Sequence, residues 1–260
     1  MAIEIHFDAV DCAPIDSATV MVLRDGARGL EVLMVRRHGD SGVLGGVHVF
    51  PGGKLDAQDS EAALPGLDHD AGWFAQALAE PGLAPVVARG LFASALRETR
   101  EECALALPAD SLWPWSRWIT PRQPSVTRKR FDTRFFVAVA PPDQEAVHDD
   151  FEATEVVWVP PAEGLRRYWA GEIDLAPPQI MSLVQLVRIR DVVGALDLAR
   201  QRPPALIEPQ PFDDHGERVI CYPGDPAHPV REPAWIGPTR LRYRNRRFEP
   251  EGGLAALLGD

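Results

Sequence analysis

Two apolar runs lie near the start of the chain, Ala18 to Leu23 and Leu30 to Val35. Between them, Asp25-Gly26-Ala27-Arg28-Gly29 is rich in turn formers, so the pair predicts a β-hairpin. Val47 to Phe50 predicts a short strand, stopped by Pro51-Gly52-Gly53. From Val86 to Cys103 the apolar spacing becomes helical. Phe92, Ala95, Leu96, Thr99 and Cys103 share one stripe, and Glu98, Glu101 and Glu102 fall on the face beside it. Pro85 stands where a first-turn proline is tolerated. Phe131 to Ala140 and Glu155 to Val159 read as strands, and Pro178 to Arg190 and Val192 to Gln201 as helices. The Pro- and Trp-rich residues 108–125 read as loop. Strands and helices alternate unevenly, which predicts a mixed α/β layered domain rather than an all-parallel sheet.

Two stretches break the pattern. Residues 54–84 are acidic and loop-like (Asp56, Asp59, Glu61, Asp68, Asp70), with one helical patch at Gly72 to Ala79, and read as an insertion. From Pro203 the chain is irregular and Pro-rich, closing on the alternating Thr239-Arg240-Leu241-Arg242-Tyr243-Arg244, an exposed strand. The expected organisation is one domain over residues 1–202 and a C-terminal extension, 203–260, packed on it.

Composition narrows the function classes. With 45% hydrophobic and 25% charged residues, the 260-residue chain is globular. A net charge of -11 argues against a nucleic-acid partner, which calls for a basic stripe. It leaves a phosphate substrate open, because a metal held by carboxylates supplies positive charge locally. Cys12, Cys103 and Cys221 are far apart and show no C-x-x-C spacing, so neither zinc site nor disulfide framework is expected. A reducing, cytoplasmic setting is expected instead. The N-terminus lacks the basic and apolar regions of a signal peptide, and no run approaches the roughly 18 apolar residues of a membrane span.

Candidate chemistry concentrates in Arg97-Glu98-Thr99-Arg100-Glu101-Glu102. Glu98 stands three and four positions before Glu101 and Glu102, so the three carboxylates crowd one face and repel unless a cation lies among them. Hard oxygen ligands so placed suit Mg²⁺ or Mn²⁺, which assist phosphoryl chemistry. Arg97 is placed to orient Glu101. The ordinary alternative is a solvated helix face with Arg–Glu pairs. Phe50-Pro51-Gly52-Gly53-Lys54-Leu55 is a strand ending in a glycine turn, which lets backbone come close to a metal or phosphate; an ordinary tight turn has the same sequence.

Taken together, these residues resemble the Nudix hydrolase superfamily, whose box runs G-x5-E-x7-R-E-U-x-E-E-x-G-U, with U bulky and apolar. Gly53 matches the first glycine, Arg97-Glu98 and Glu101-Glu102 the two charged pairs, and Leu105 the final apolar position. Arg97 follows Gly53 by 44 positions where the box has 14, and the extra 30 are the acidic insertion. Counted back from Arg97, the box glutamate falls on Arg89 and is missing; Thr99 replaces an apolar residue and Ala104 the later glycine. His48-Val49-Phe50-Pro51-Gly52-Gly53 with Leu55-Asp56, the interruption, Ala95-Leu96-Arg97-Glu98, Ile119-Thr120-Pro121 and Arg130 to Phe136 resemble one branch. That branch holds the peroxisomal coenzyme A diphosphatases of animals and bacterial relatives. The closing Leu-Leu-Gly-Asp is not a peroxisomal address.

The resemblance implies an α/β/α sandwich with a mixed sheet, interrupted by the long insertion and followed by the irregular extension. It implies a diphosphatase acting on a small nucleotide-like substrate, with coenzyme A or acyl-CoA as a lead. Glu98, Glu101, Glu102 and the Gly52 carbonyl would hold Mg²⁺ or Mn²⁺, and Arg97 would support them. Glu98 is the expected general base. Gly53, Arg37, Arg130 and Arg134 are expected on the substrate, and Glu152 or Glu155 as a further carboxylate or as strand-edge surface charge. A homodimer is expected as the protein partner. A catalytically weak Nudix domain acting as a ligand sensor is the alternative, favoured by Arg89 and Ala104.

Other residues carry two readings each. Arg130, Asp132 and Arg134 line either a substrate or the polar face of a strand. Arg240, Arg242, Arg244, Arg246 and Arg247 anchor a phosphate, bind the acidic insertion of a partner subunit, or protect a strand edge. Trp113, Trp115 and Trp118 stack on a base or pack a loop. Cys103 reads as core.

Overall fold

The computed structural model describes residues 8–39, 44–61, 63–65, 69–70, 72–123, 129–148 and 153–260. The predicted hairpin is β1 (Ile15–Gly26) and β2 (Gly29–Arg37), joined antiparallel. Then follow β3 (His48–Val49), β4 (Gly52–Lys54), α1 (Trp73–Ala77) and α2 (Pro85–Cys103). The middle of the chain gives β5 (Trp113–Ile119), β6 (Phe131–Val139), β7 (Ala153–Val159), α3 (Pro161–Ala170), α4 (Pro177–Leu186) and α5 (Val192–Gln201). The last part gives β8 (Ala205–Ile207), β9 (Gln210–Asp214), β10 (Glu217–Cys221), β11 (Arg240–Arg244), β12 (Arg247–Glu249) and α6 (Gly253–Leu258).

Among the described residues the main sheet runs β3-β2-β1-β6-β5-β8, with β4 added to β1 and β7 to β2. β1 pairs parallel with β6 and β5 parallel with β8, while β1 pairs antiparallel with β2, so the sheet is mixed as expected. Successive strand residues point to opposite faces. Ala18, Val20, Val22, Phe136 and Ala138 therefore face one core with Phe74 and Phe92 of α1 and α2. Met21, Leu23, Phe135 and Val137 face a second core with α3, α4 and α5. Two helical layers enclose one sheet, as an α/β/α sandwich requires.

Two expectations are corrected, and one helix is new. Residues 113–119 are not loop but a strand between β6 and β8. Their tryptophans suit a strand, and the register shifts between Pro114 and Ser116, so a bulge absorbs the proline. The helix α3, absent from the sequence reading, opens on Pro161, since proline is tolerated at the first helical position. The C-terminal extension is not irregular: β9 to β12 form a four-stranded antiparallel sheet. Pro211 is tolerated there because β9 is an edge strand. Through β8 the extension also joins the main sheet, and its Ile220, Tyr222, Trp235 and Phe248 share the core of α3 to α5.

Candidate active site

The Phe-Pro-Gly-Gly turn is pinned onto β1. Pro51 O accepts Val20 N–H at 2.9 Å and Thr19 Oγ1–H at 2.7 Å. A Cβ on Gly52 would stand 2.4 Å from Ala18 O and 2.6 Å from Thr19 Cα, so only glycine allows this approach. A Cβ on Gly53 would stand 2.2 Å from Glu98 Oε1. The missing side chain of Gly53 is thus the space in which the Glu98 carboxylate lies.

α2 brings the charged pairs to this turn because its apolar stripe is buried against β1 and α1. The buried Thr99 satisfies its hydroxyl within the helix, donating to Ala95 O at 2.7 Å. Buried Glu102 accepts the Gly52 N–H at 3.0 Å and lies 3.9 Å from Arg37 Nη1. Arg97 is the hub. Its Nε and Nη2 bind the two oxygens of Asp59 at 2.8 and 2.9 Å, its Nη1 binds Glu98 at 2.8 Å and Glu101 at 3.0 Å, and Nη2 also donates to Lys54 O at 3.1 Å. The bond to Asp59 raises the guanidinium pKa above its ordinary value against the opposing effect of burial, and Glu98 and Glu101 add to the rise. One permanent cation therefore offsets the crowding of the carboxylates on this flank.

Asp59 is the residue that the sequence reading missed. It is 1% exposed and fixed bidentate on Arg97. Counted forward from Gly53, the acidic position of the box falls six residues on, at Asp59. Counting back from Arg97 led to Arg89, whose Nη1 donates to Ser60 O at 3.2 Å. The insertion thus splits the box after its acidic position, and the forward count was the available signal. Ala104, in the place of the later glycine, takes the left-handed conformation (φ 56°, ψ 19°) and closes α2 with its N–H on Arg100 O. Neither departure removes a part of the site.

A cavity of about 580 Å³ opens beside this rim. Gly52, Gly53, Asp56, Glu98 and Arg37 line it, with Phe131, Thr133 and Phe135 of β6 among its other walls. Arg37 Nε is buried without a hydrogen bond. Glu101 points outward, its side chain 58% exposed. Among the described residues no three His, Cys, Asp or Glu side chains converge as a ready metal cage. The donor chemistry of the rim, carboxylates around a backbone turn, nevertheless fits a hard divalent cation.

Two expected substrate arginines lie elsewhere. Phe131, Thr133 and Phe135 face the cavity, so Arg130, Asp132 and Arg134 face the opposite side of β6. Arg130 donates to Thr120 O and Cys12 O. Arg134, 2% exposed, is bidentate on Glu80 at 2.9 and 2.7 Å and also binds Asp16 and Asp132 O. Burial opposes its charge, and Glu80 and Asp132 outweigh that and raise its pKa. Both are structural anchors. Glu155 lies 3.6 Å from His48 Nε2 and is not on the cavity wall, and Glu152 lies outside the described residues.

The remaining alternatives resolve toward structure. Arg240 pairs with Asp225, Arg242 with Asp214, Arg244 with Glu217 and Arg247 with Glu249. Trp113 and Trp115 lie under Arg200 and Arg202, while Trp118 stacks on Trp235 and also borders the cavity. Cys103 is buried in the α2 core. No helix among the described residues is long and apolar enough to cross a membrane.

A family model described as the NUDT19 Nudix domain matches residues 102–186. The chain is 29% identical to the putative nudix hydrolase 7 of Caenorhabditis elegans, over 75% of this chain and 68% of that protein. It is 26% identical to the acyl-coenzyme A diphosphatase NUDT19 of Gallus gallus, over 60% of this chain and 61% of that protein. Among solved structures it is similar to a NUDIX hydrolase from Alicyclobacillus acidocaldarius, with a TM-score of 0.56 and 25% identity over 75% of this chain and 99% of the other. With the split box assembled around Arg97 on an α/β/α sandwich, the chain is similar to Nudix hydrolases in both sequence and fold.

Proposed function

We propose that this chain is a metal-dependent diphosphatase, cleaving the diphosphate linkage of a nucleoside-diphosphate-X substrate, with coenzyme A or an acyl-CoA as the first to try. The observation that carries the reading is the assembly by Arg97 of Asp59, Glu98 and Glu101 beside a turn-lined cavity. The substrate lead is supported by the similarity to proteins named acyl-coenzyme A diphosphatase NUDT19 in Xenopus laevis and Gallus gallus.

Glu98, Glu101 and Glu102, with the Gly52 carbonyl, are the groups that would hold Mg²⁺ or Mn²⁺. A divalent cation there would neutralise phosphate oxygens and lower the pKa of a water for attack at phosphorus. Glu98 lines the cavity and is the residue best placed to accept the proton of that water. Arg97 holds Glu98 and Glu101 in place through its Nη1. Arg37 brings a positive charge to the wall on which the diphosphate would lie. The three cysteines are free thiols, which suits a reducing, cytoplasmic setting.

The test is product release from CoA, acyl-CoA, NADH, ADP-ribose and dinucleoside polyphosphates with Mg²⁺ or Mn²⁺, for wild type and Glu98→Gln. The expected result is metal-dependent cleavage of one class, reduced about 10²–10⁴-fold in the variant. Absence of turnover across the panel, with ligand-induced stabilisation that Glu98→Gln leaves unchanged, would replace the enzyme by the ligand-sensor alternative.

A further inference from the structure

Gln179 stands in the first turn of α4, on the cavity wall and outside the split box. It is only 8% exposed, and its Oε1 is buried without a hydrogen-bond partner. An unpaired buried amide oxygen costs on the order of 1–3 kcal/mol, and such groups in native proteins call for an explanation. A ligand in the cavity supplies one.

The helix end around Gln179 indicates what kind of ligand group this is. Helix N-termini attract anions through their unpaired N–H groups. Here the first two helical residues are Pro177 and Pro178, which have no N–H, and the Ile180 N–H is used on Ala176 O at 3.1 Å. The end of α4 is thus stripped of most of its anion-binding capacity. The charged groups of the cavity, Arg37, Lys54, Asp56, Glu98 and Lys129, come from other elements. Trp118, Phe135, Pro209 and Ile220 give the same cavity an apolar lining. An apolar wall with one unsatisfied carboxamide selects a neutral, hydrogen-bonding group. A carboxamide carries both acceptor and donors, and its natural complement is another amide.

We propose that Gln179 is a specificity-determining residue that reads an uncharged amide in the non-nucleotide part of the substrate. This rests on the diphosphatase reading in taking the cavity as the substrate's seat. Two sources offer the chemistry, an amide within an aliphatic chain, as in the pantetheine arm of CoA, and a carboxamide on a ring, as in NADH. ADP-ribose has neither and serves as the internal control.

The experiment measures kcat and KM for CoA, NADH and ADP-ribose with Mg²⁺, and the binding of each without metal by calorimetry, for wild type, Gln179→Leu and Gln179→Glu. Thermal denaturation checks that the variants fold, and Gln179→Glu keeps the size and polarity of the side chain should Gln179→Leu fail to do so. The expected result is a KM and Kd raised about 3- to 10-fold for one amide-bearing compound, the size of one lost hydrogen bond, with kcat nearly unchanged. The constants for ADP-ribose should not move. Whichever of CoA or NADH responds names the source of the amide. Equal changes for all three compounds, or none for either amide compound, overturn the assignment. Binding of CoA or NADH that weakens in the variants without turnover in wild type overturns the diphosphatase reading and leaves the role of Gln179 standing. Absence of binding and turnover for both amide compounds overturns the role of Gln179.

Discussion

Two arginines, half-buried Arg97 and buried Arg134, hold two carboxylate clusters of nearly the same composition. Arg97 joins Asp59, Glu98 and Glu101, and Arg134 joins Glu80, Asp16 and Asp132. Both are shifted toward permanent charge by their partners. What separates them is the border with the cavity. The Arg97 cluster includes Glu98, which lines the cavity, while Arg134 lies on the face of β6 turned away from it. A charge cluster therefore identifies an anchor, and only its border with open space makes it a site. Motif residues and structural residues are chemically interchangeable here, and position decides their work.

Replacing each hub separates the two most sharply. Arg97→Met should cost about 3–5 kcal/mol in urea unfolding, because it leaves buried Asp59 without its cation. Arg134→Met should cost less, because Arg117 still pairs Glu80 and Asp132. Assayed at low temperature on the folded fraction, only Arg97→Met should also lower kcat. An equal loss of turnover in Arg134→Met would erase the distinction.

Gly53→Ala sharpens it within the Arg97 cluster. The new methyl meets the end of the flexible Glu98 side chain, which can swing aside, so stability should change little. The carboxylate is displaced, however, and turnover should fall on the order of 10²-fold, the size of a 1 Å misplacement. Gly52→Ala should do the reverse in stability assays, since its methyl meets the backbone of Ala18 and Thr19.

A smaller effect is expected at the end of α2. Ala104 holds a left-handed conformation that costs a non-glycine residue about 1–2 kcal/mol, so Ala104→Gly should raise unfolding stability by about 1 kcal/mol. Activity measured in parallel should be unaffected, as expected of a cap.

The smallest effect concerns pH. Burial lowers the pKa of His48, against the raising influence of Glu155. Below the ordinary imidazole value of about 6.5, the unfolded chain gains a proton that folded His48 resists. The contribution of His48 to stability is complete above that pH and is lost as pH falls through its lowered folded value. His48→Gln should flatten this part of the acid limb in urea titrations between pH 7 and 5, and an unchanged slope would assign the limb to other groups.

The hairpin, α2, β6, β7, α4 and α5 were legible because their periodicity is strong and local. So were the residues of the Arg97 cluster, apart from Asp59, because a motif records spacing along one helix. Asp59 was misplaced because the insertion breaks that spacing, and contact across 38 positions is not a local property. The strand β5 was hidden because prolines mark breaks unless a bulge receives them, and a bulge depends on the neighbouring strand.

The sequence by itself determined the layered class, the carboxylate helix and the glycine turn, since these follow from side-chain period and backbone freedom. Tertiary structure alone decided which face of β6 looks into the cavity, and Arg130 and Arg134 are not on its wall. A strand's two faces are equivalent in its own sequence when both carry polar residues, and only packing against α2 on one side and the cavity on the other distinguishes them. For the same reason Gln179 became visible only when α4 was docked beside that cavity. A partner missing from a buried amide is a fact about surroundings, which no single residue encodes.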